Sequence, residues 1–332
     1  MRIIIPGGSG QVGTILARAF VADGHDVTIL SRRPDTTHAW RSEQWDGANV
    51  GPWAETIDGA DVVINLAGRI VNCRYNAKNR DEMMRSRVDS TRVVGEAIEA
   101  AGKPPRLWLQ ASTATIYAHR YDAPNDEVTG IIGGDEPGAP EKWNFSVGIA
   151  KAWEAEVDKA NTPNTRTVKL RSAMTMSPDP GGIFATLLGL TRRGLGGTSG
   201  DGRQYVSWIH DRDFIDAVYW LIDHEELSGA VNLSSPNPLP NREFMQGLRK
   251  AWGTRIGLPA TSLMLEVGAL LMRTETELVL KSRRVVPTRL LESGFAFRFP
   301  EWPDAARDLC ATLPVSINVK ASVARPFRKT TC

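Results

Sequence analysis

Brief apolar runs and longer segments of helical spacing alternate along the first two thirds of the chain. Residues 2–5, 26–30, 61–66, 106–111 and 167–170 are short and rich in Val, Ile and Leu, so each predicts a strand. Between them, residues 12–23, 78–101 and 146–160 carry the i, i+3, i+4 spacing of helices. A further apolar run at 229–233 predicts one more strand. Such alternation implies a parallel sheet covered on both faces, a Rossmann-like doubly wound α/β fold. Two stretches break the rhythm. Residues 178–207 are glycine-rich, and the chain from Pro236 onward carries three proline signals and an amphipathic helix over 262–273. The expected organisation is a large domain over 1–175, with 207–234 returning to it. Residues 176–206 and 235–320 would form a smaller C-terminal substrate lobe, and the polar, basic residues 321–332 a loose tail.

The first strand runs directly into Gly7-Gly8-Ser9-Gly10-Gln11-Val12-Gly13, which opens the first helix. Glycine at the tight turn reaches backbone conformations closed to other residues. Gly10 lets the main chain approach a pyrophosphate, whose charge the helix N-terminus stabilises, and Gly13 permits close packing of helix on strand. A purely structural turn is the competing reading. The strand before, the helix after and the second strand at the expected distance favour a dinucleotide. At the end of that second strand an NAD site carries Asp or Glu, whereas this chain has Ser31-Arg32-Arg33. Two forked guanidinium groups suit a 2′-phosphate, so NADP(H) is expected ahead of NAD, with a solvated basic turn as the alternative. Asp46 is placed to accept the adenine amine or to make a turn before Gly47. Leu66, Ala67 and Gly68 end the next strand and leave room for pyrophosphate and ribose.

Composition narrows the class further. In 332 residues, 40 basic and 38 acidic side chains leave a net charge of +2, which offers nothing to nucleic acid or an acidic membrane. The ten tryptophans are not interleaved with a basic patch. Three scattered cysteines fit neither a disulfide framework nor a metal site, so the expectation is a reducing, cytoplasmic setting and no structural metal. Residues 1–6 are too short for a signal peptide, and the apolar stretch 263–272 is interrupted by Glu266. A soluble protein acting on a small molecule is expected.

The motifs GGSGQVG, DVVINLAG, QASTATIY and SWIHDRD together resemble the extended short-chain dehydrogenases, the group that contains sugar-nucleotide epimerases. SRVDST, GDGRQYVSWIHDRDF, SPNPLPNREFM and RRVVPTRLLESGFAFRFP extend the resemblance over nearly the whole chain, to the "epimerase family" proteins with their own short C-terminal domain. The resemblance implies a homodimer paired through a two-helix face. It also implies a Ser or Thr, a Tyr and a Lys cooperating to move a proton as hydride moves. Thr113 matches the Ser/Thr and Lys151 the lysine, but Val147 stands in the tyrosine's place. Arg87, where many members have an asparagine, would pair with the pyrophosphate, and Glu82 on the same helix would meet a ribose hydroxyl or form a surface ion pair. Arg171 and Met174 follow the strand at 167–170, where the family's backbone meets the nicotinamide carboxamide. Arg203 and Gln204 resemble positions that meet the polar end of a substrate, and Asp213 is expected to cap the helix after it.

Valine cannot transfer a proton, so three readings stand open. Tyr117, Tyr121 or His119, all just past the Thr113 strand end, supplies the proton, with Lys151 or Arg171 as the positive neighbour a tyrosine needs. Alternatively the protein is an oxidoreductase on a substrate that needs no hydroxyl deprotonation. Last, it is a catalytically silent NADP(H) sensor.

Overall fold

The computed structural model describes residues 1–136, 140, 143–261, 264 and 275–313. The expected helix over 262–273 and the tail over 321–332 lie outside the described residues, apart from Met264.

Seven parallel strands form the central sheet in the order β10-β6-β5-β4-β1-β2-β3. They are β1 (Arg2–Pro6), β2 (Asp26–Ser31), β3 (Arg41–Gln44), β4 (Val62–Asn65), β5 (Leu107–Thr113), β6 (Arg166–Ser172) and β10 (Gly229–Leu233). Helices α1 (Gln11–Ala22), α2 (Ala77–Ala100), α3 (Asn144–Lys159) and α5 (Asp211–Asp223) flank it. The order reverses between β1 and β4, and a ligand crevice forms outside the carboxyl ends of strands at such a point.

Period-two alternation explains how each strand serves both faces. Ile3 and Ile5, Val62 and Ile64, and Leu107 and Leu109 enter the core shared with α1 and α5. Ile4, Val63 and Trp108 enter the opposite core, against the α2 residues Val93, Val94 and Ile98. All nine of these strand residues are 0 % exposed, and burying each side chain of this size contributes about 1.5–3 kcal/mol. Strand β3 gave no apolar signal because its sequence is RSEQ and it lies at the sheet edge, mostly exposed.

A third core gathers α4 (Ile183–Arg192), α6 (Asn241–Trp252) and α9 (Trp302–Ala311). Phe184, Phe244 and Trp302 are buried in it, and the last two rings stack with centroids 4.0 Å apart. Two small pairings accompany it, β7 (Met174–Met176) with β9 (Trp208–His210) and β8 (Tyr205–Val206) with β11 (Leu239–Pro240). Asp213 does not cap a helix. Helix α5 starts at Asp211, and its cap is His210, whose Nδ1 accepts from the Arg212 amide at 3.1 Å. The buried Asp213 carboxylate instead accepts from the amides of Arg298 and Phe299, at 2.7 and 3.0 Å, and latches the C-terminal segment to α5. Among the described residues no helix is long and apolar enough to cross a membrane.

Candidate functional site

A cleft of about 860 Å³ opens at the reversal of strand order. Its floor is the turn from β1 to α1, and each glycine there has a different reason. Gly7 has φ +72°, and a Cβ would lie 2.5 Å from the Ala67 Cα. A Cβ on Gly13 would lie 2.3 Å from the Gly8 carbonyl oxygen, so this glycine lets helix and loop pack. A Cβ on Gly10 meets nothing within 4 Å. Gly10 is the N-cap of α1 and lines the cleft, and it supplies no capping side chain to the first amides of the helix. Open space in front of helix amides is what a pyrophosphate fills.

Ser31, Arg32, Arg33, Asp46, Leu66, Ala67 and Gly68 line the same cavity as Gly7, Ser9 and Gly10. The Ser31 hydroxyl bonds Ser9 Oγ at 3.3 Å and accepts from the Arg33 amide at 3.2 Å, which ties the arginine turn to the glycine loop. Asp46 does line the cleft, and its carboxylate also makes the turn, accepting from the amides of Ala48 and Asn49 at 2.8 and 2.9 Å. Those hydrogen bonds, the Asn49 side chain's foremost, hold its pKa below the usual carboxylate value. Gly8, Gln11, Val12 and Gly13 flank the lining residues of this turn, and the Gln11 and Val12 side chains make contacts elsewhere. Gln11 Nε2 donates to the Asp179 carbonyl at 3.1 Å, and Arg18 pairs with the Asp179 carboxylate, so α1 is fastened to the segment that leads into α4. Val12 packs into the core. Sequence reasoning passed over His38, Trp40 and Trp45, which line the same cavity beside Arg32 and Arg33. His38 stacks on Trp40 with centroids 4.3 Å apart. No spacing rule marks residues on an edge-strand excursion, so nothing short of the fold brings them here.

Several expected site residues are held elsewhere. The Arg87 guanidinium donates to the carbonyls of Met83 and Arg69, at 3.0 and 3.1 Å, and lies 5.0 Å over the Trp153 ring. Burial lowers its pKa to about 10. Arg87 thereby holds the Gly68–Arg69 turn in place. Glu82 pairs with Arg69 on the loop before α2, and lies 3.9 Å from Lys78 one turn away on its own helix. Arg171 clasps Glu154 through Nε and Nη2, both at 2.8 Å, and its Nη1 donates to the Tyr117 hydroxyl at 2.9 Å. Tyr117 in turn donates to Asn232 Oδ1 at 3.0 Å and is 2 % exposed. The positive neighbour expected for a catalytic tyrosine is present, yet burial outweighs it and the Tyr117 pKa moves up. Both residues are thus held by partners on β10 and α3. Met174 pairs with Trp208 in the small β7–β9 sheet and packs on the third core.

At the carboxyl end of β5, Thr113 caps the short turn Ala114–Ile116, its hydroxyl accepting from the Thr115 amide at 3.1 Å. Helix α3 packs on that turn and carries Val147 and Lys151 one turn apart. Val147 is 1 % exposed, while Lys151 is exposed, and a Cβ built on Gly134 would lie 3.1 Å from the lysine's Nζ. His119 is tethered, its Nδ1 accepting from the Ser282 amide at 2.8 Å, and burial with Lys281 nearby lowers its pKa. Tyr121 lies on the surface beneath Arg203, whose guanidinium is 5.7 Å from the ring centroid. The Gln204 side chain is buried and donates to the carbonyls of Ser199 and Val279.

Residues 3–234 match the NAD dependent epimerase/dehydratase family, and residues 261–309 match a domain of unknown function. The human epimerase family protein SDR39U1 is 30% identical over 314 residues, covering 94% of this chain and 100% of that protein. An epimerase family protein of Staphylococcus aureus is 29% identical over 306 residues, covering 92% of this chain and 98% of its own. The crystal structure of human SDR39U1 with NADPH superposes with a TM-score of 0.81 at 29% identity, over 94% of this chain and 100% of that one.

Proposed function

The chain belongs to the NAD dependent epimerase/dehydratase family, and from that premise we propose that it binds NADP(H) and acts as an oxidoreductase or epimerase-like enzyme on a small metabolite. The observation that carries the cofactor choice is one cavity lined jointly by the glycine loop and by Arg32 and Arg33. The residues fit the group. The space before Gly10 suits a pyrophosphate, and the arginine pair suits a 2′-phosphate where an NAD site carries a carboxylate. The human relative crystallised with NADPH supports the same choice.

When bound, the cofactor supplies or accepts hydride. The protein's own residues position it. The first amides of α1 hold the pyrophosphate, and Arg32 and Arg33 hold the 2′-phosphate. Leu66, Ala67 and Gly68, propped by Arg87, give the smooth wall past which the nucleotide runs. Thr113 at the carboxyl end of β5 and Lys151 on α3 would be the residues to meet the nicotinamide end of the bound group.

Tryptophan fluorescence tests this, because Trp40 and Trp45 line the cavity. NADPH should quench the signal with an affinity roughly tenfold or more above that for NADH, as a charge-paired phosphate contributes at least ~1.4 kcal/mol. Equal affinities would remove the cofactor choice. A second reading, binding without turnover, is favoured by Val147 at the tyrosine position and by Tyr117 locked in the core.

A further inference from the structure

Above the carboxyl end of β5, the segment 277–285 threads between the loop that follows Thr113 and the strands β8 and β9. The Lys281 Nζ donates to the Thr115 carbonyl at 3.0 Å, and Arg283 Nε donates to Thr115 Oγ1 at 3.1 Å. Ser282 bonds both His119 and the Arg120 carbonyl. Lys281 is 2 % exposed. An ammonium carries three donors, yet among the described residues Lys281 has this one acceptor and no ion pair. Glu277, 1 % exposed, accepts from the Ser146 hydroxyl at 2.6 Å through Oε2, while its Oε1 has no hydrogen-bond partner among the described residues and lies 4.0 Å from Arg283 Nη2. Glu136 accepts from the amides of His119 and Gly134, and Gly134 lies against the Lys151 amine. A run of contacts thus joins Lys281 to Lys151 beside the carboxyl end of β5.

A structural lysine in such a place is normally matched by a carboxylate, because burying a charge costs several kcal/mol unless it is paired. We infer that Lys281, carried on the C-terminal segment, donates the proton that the missing tyrosine would otherwise supply, to the carbonyl oxygen of a small ketone or aldehyde substrate. The inference rests on the NADP(H) reading above. In the reductive direction hydride from the reduced nicotinamide adds to the carbonyl carbon and the C=O π bond breaks. Its electron pair, on oxygen, takes a proton from the Lys281 ammonium. The products are an alcohol, the oxidised dinucleotide and a neutral amine, which regains its proton from water. Oxidation runs the same step backwards, with the neutral amine as base.

The groups facing the amine are Arg283 and Glu277 on its own segment and Glu136 and His119 on the 119–136 loop. Burial, with Arg283 second, lowers the Lys281 pKa to about 8, near the range in which an acid and a base are both populated. Rival proton donors fare worse. Burial raises Tyr75, whose hydroxyl is 3.5 Å from Ser146 Oγ, to about 12, and Tyr117 is enclosed by Arg171 and Asn232.

The test uses the full chain labelled with ¹³Cε-lysine, the Lys281 resonance being assigned by its loss in Lys281→Met and again in Lys281→Arg. The resonance should titrate near pH 8 and shift on saturation with NADPH. NADPH oxidation is then followed from pH 6 to 10 with 4-nitrobenzaldehyde and phenanthrenequinone as carbonyl probes. Both variants should lose roughly 10²–10⁴-fold in rate, with NADPH affinity held within about threefold. Titration above pH 10, or a variant that keeps the rate, would overturn the inference. If neither probe is reduced, the titration and its response to NADPH decide. Wild-type protein that does not bind NADPH removes the cofactor reading itself, which is distinct from a protein that binds it while Lys281 titrates as an ordinary lysine.

Discussion

Arg171 and Glu154 face each other as a two-point ion pair inside the molecule, Nε to Oε1 and Nη2 to Oε2, each at 2.8 Å. Ser112 adds a third contact, its hydroxyl donating to Glu154 Oε1 at 2.6 Å. The side chains are 11% and 8% exposed, so removing either partner strands a charge. Glu154→Ala should cost about 3–5 kcal/mol, measured as the shift in urea midpoint at constant slope. A cost below about 1 kcal/mol would show that this pair does not hold β6 to α3.

The same network separates a structural from a catalytic tyrosine. Tyr117→Phe removes the hydroxyl that Asn232 Oδ1 and Arg171 Nη1 bond, and should destabilise by about 1–3 kcal/mol. Affinity for NADPH should stay within about twofold. A variant of full stability that had lost carbonyl reduction would restore Tyr117 to the chemistry.

Two glycines of one loop should fail in opposite ways. Gly13→Ala drives a methyl against the Gly8 backbone and is expected to lose several kcal/mol of stability, as overpacking against main chain does. Gly10→Ala meets nothing in the protein, so its melting temperature should match wild type while NADPH affinity falls at least roughly tenfold, the methyl occupying pyrophosphate space. Calorimetry beside fluorescence titration checks both, and the reverse assignment would move the phosphate site away from Gly10.

Charge reversal at the arginine turn gives a sharper probe of cofactor choice. Arg32→Glu should weaken NADPH by roughly 10–100-fold and NADH by less than about threefold. Equal losses for both would mean that Arg32 serves the loop's shape rather than a 2′-phosphate.

Lys281 also makes a prediction about stability. Its pKa in the folded chain is about 8, below its ordinary value of 10.5, because burial opposes the charge. Unfolding therefore takes up protons between those two values, and stability rises with pH across that window, while below pH 8 the full penalty remains. Lys281→Met should be more stable than wild type at pH 7, on the order of 2 kcal/mol after the lost hydrogen bond is counted, and the advantage should shrink by pH 10. An advantage independent of pH would show that the lysine keeps its ordinary pKa.

What the sequence carries plainly is local periodicity. Ile3 to Ile5 alternate between two cores, and the glycine loop sits where a strand meets a helix, so both are readable from the chain alone. Arg87, Arg171 and Tyr117 are not. Each has the right type at a plausible register, but long side chains choose partners across the fold, and theirs are Arg69, Glu154 and Asn232. Lys281 was hidden for the same reason. It lies 166 residues from its acceptor at Thr115, and nothing in its neighbours' spacing points there.

That separation has a consequence for biosynthesis. The residues lining the cofactor cleft are all translated by Ser90, whereas the lysine over the strand end follows about 190 residues later. At 5–20 residues per second a ribosome takes roughly 10–40 s to cover that span. The cradle thus leaves the exit tunnel well before the lysine that the inference places at work, so the newborn polypeptide would acquire its nucleotide seat first and any proton donor there later.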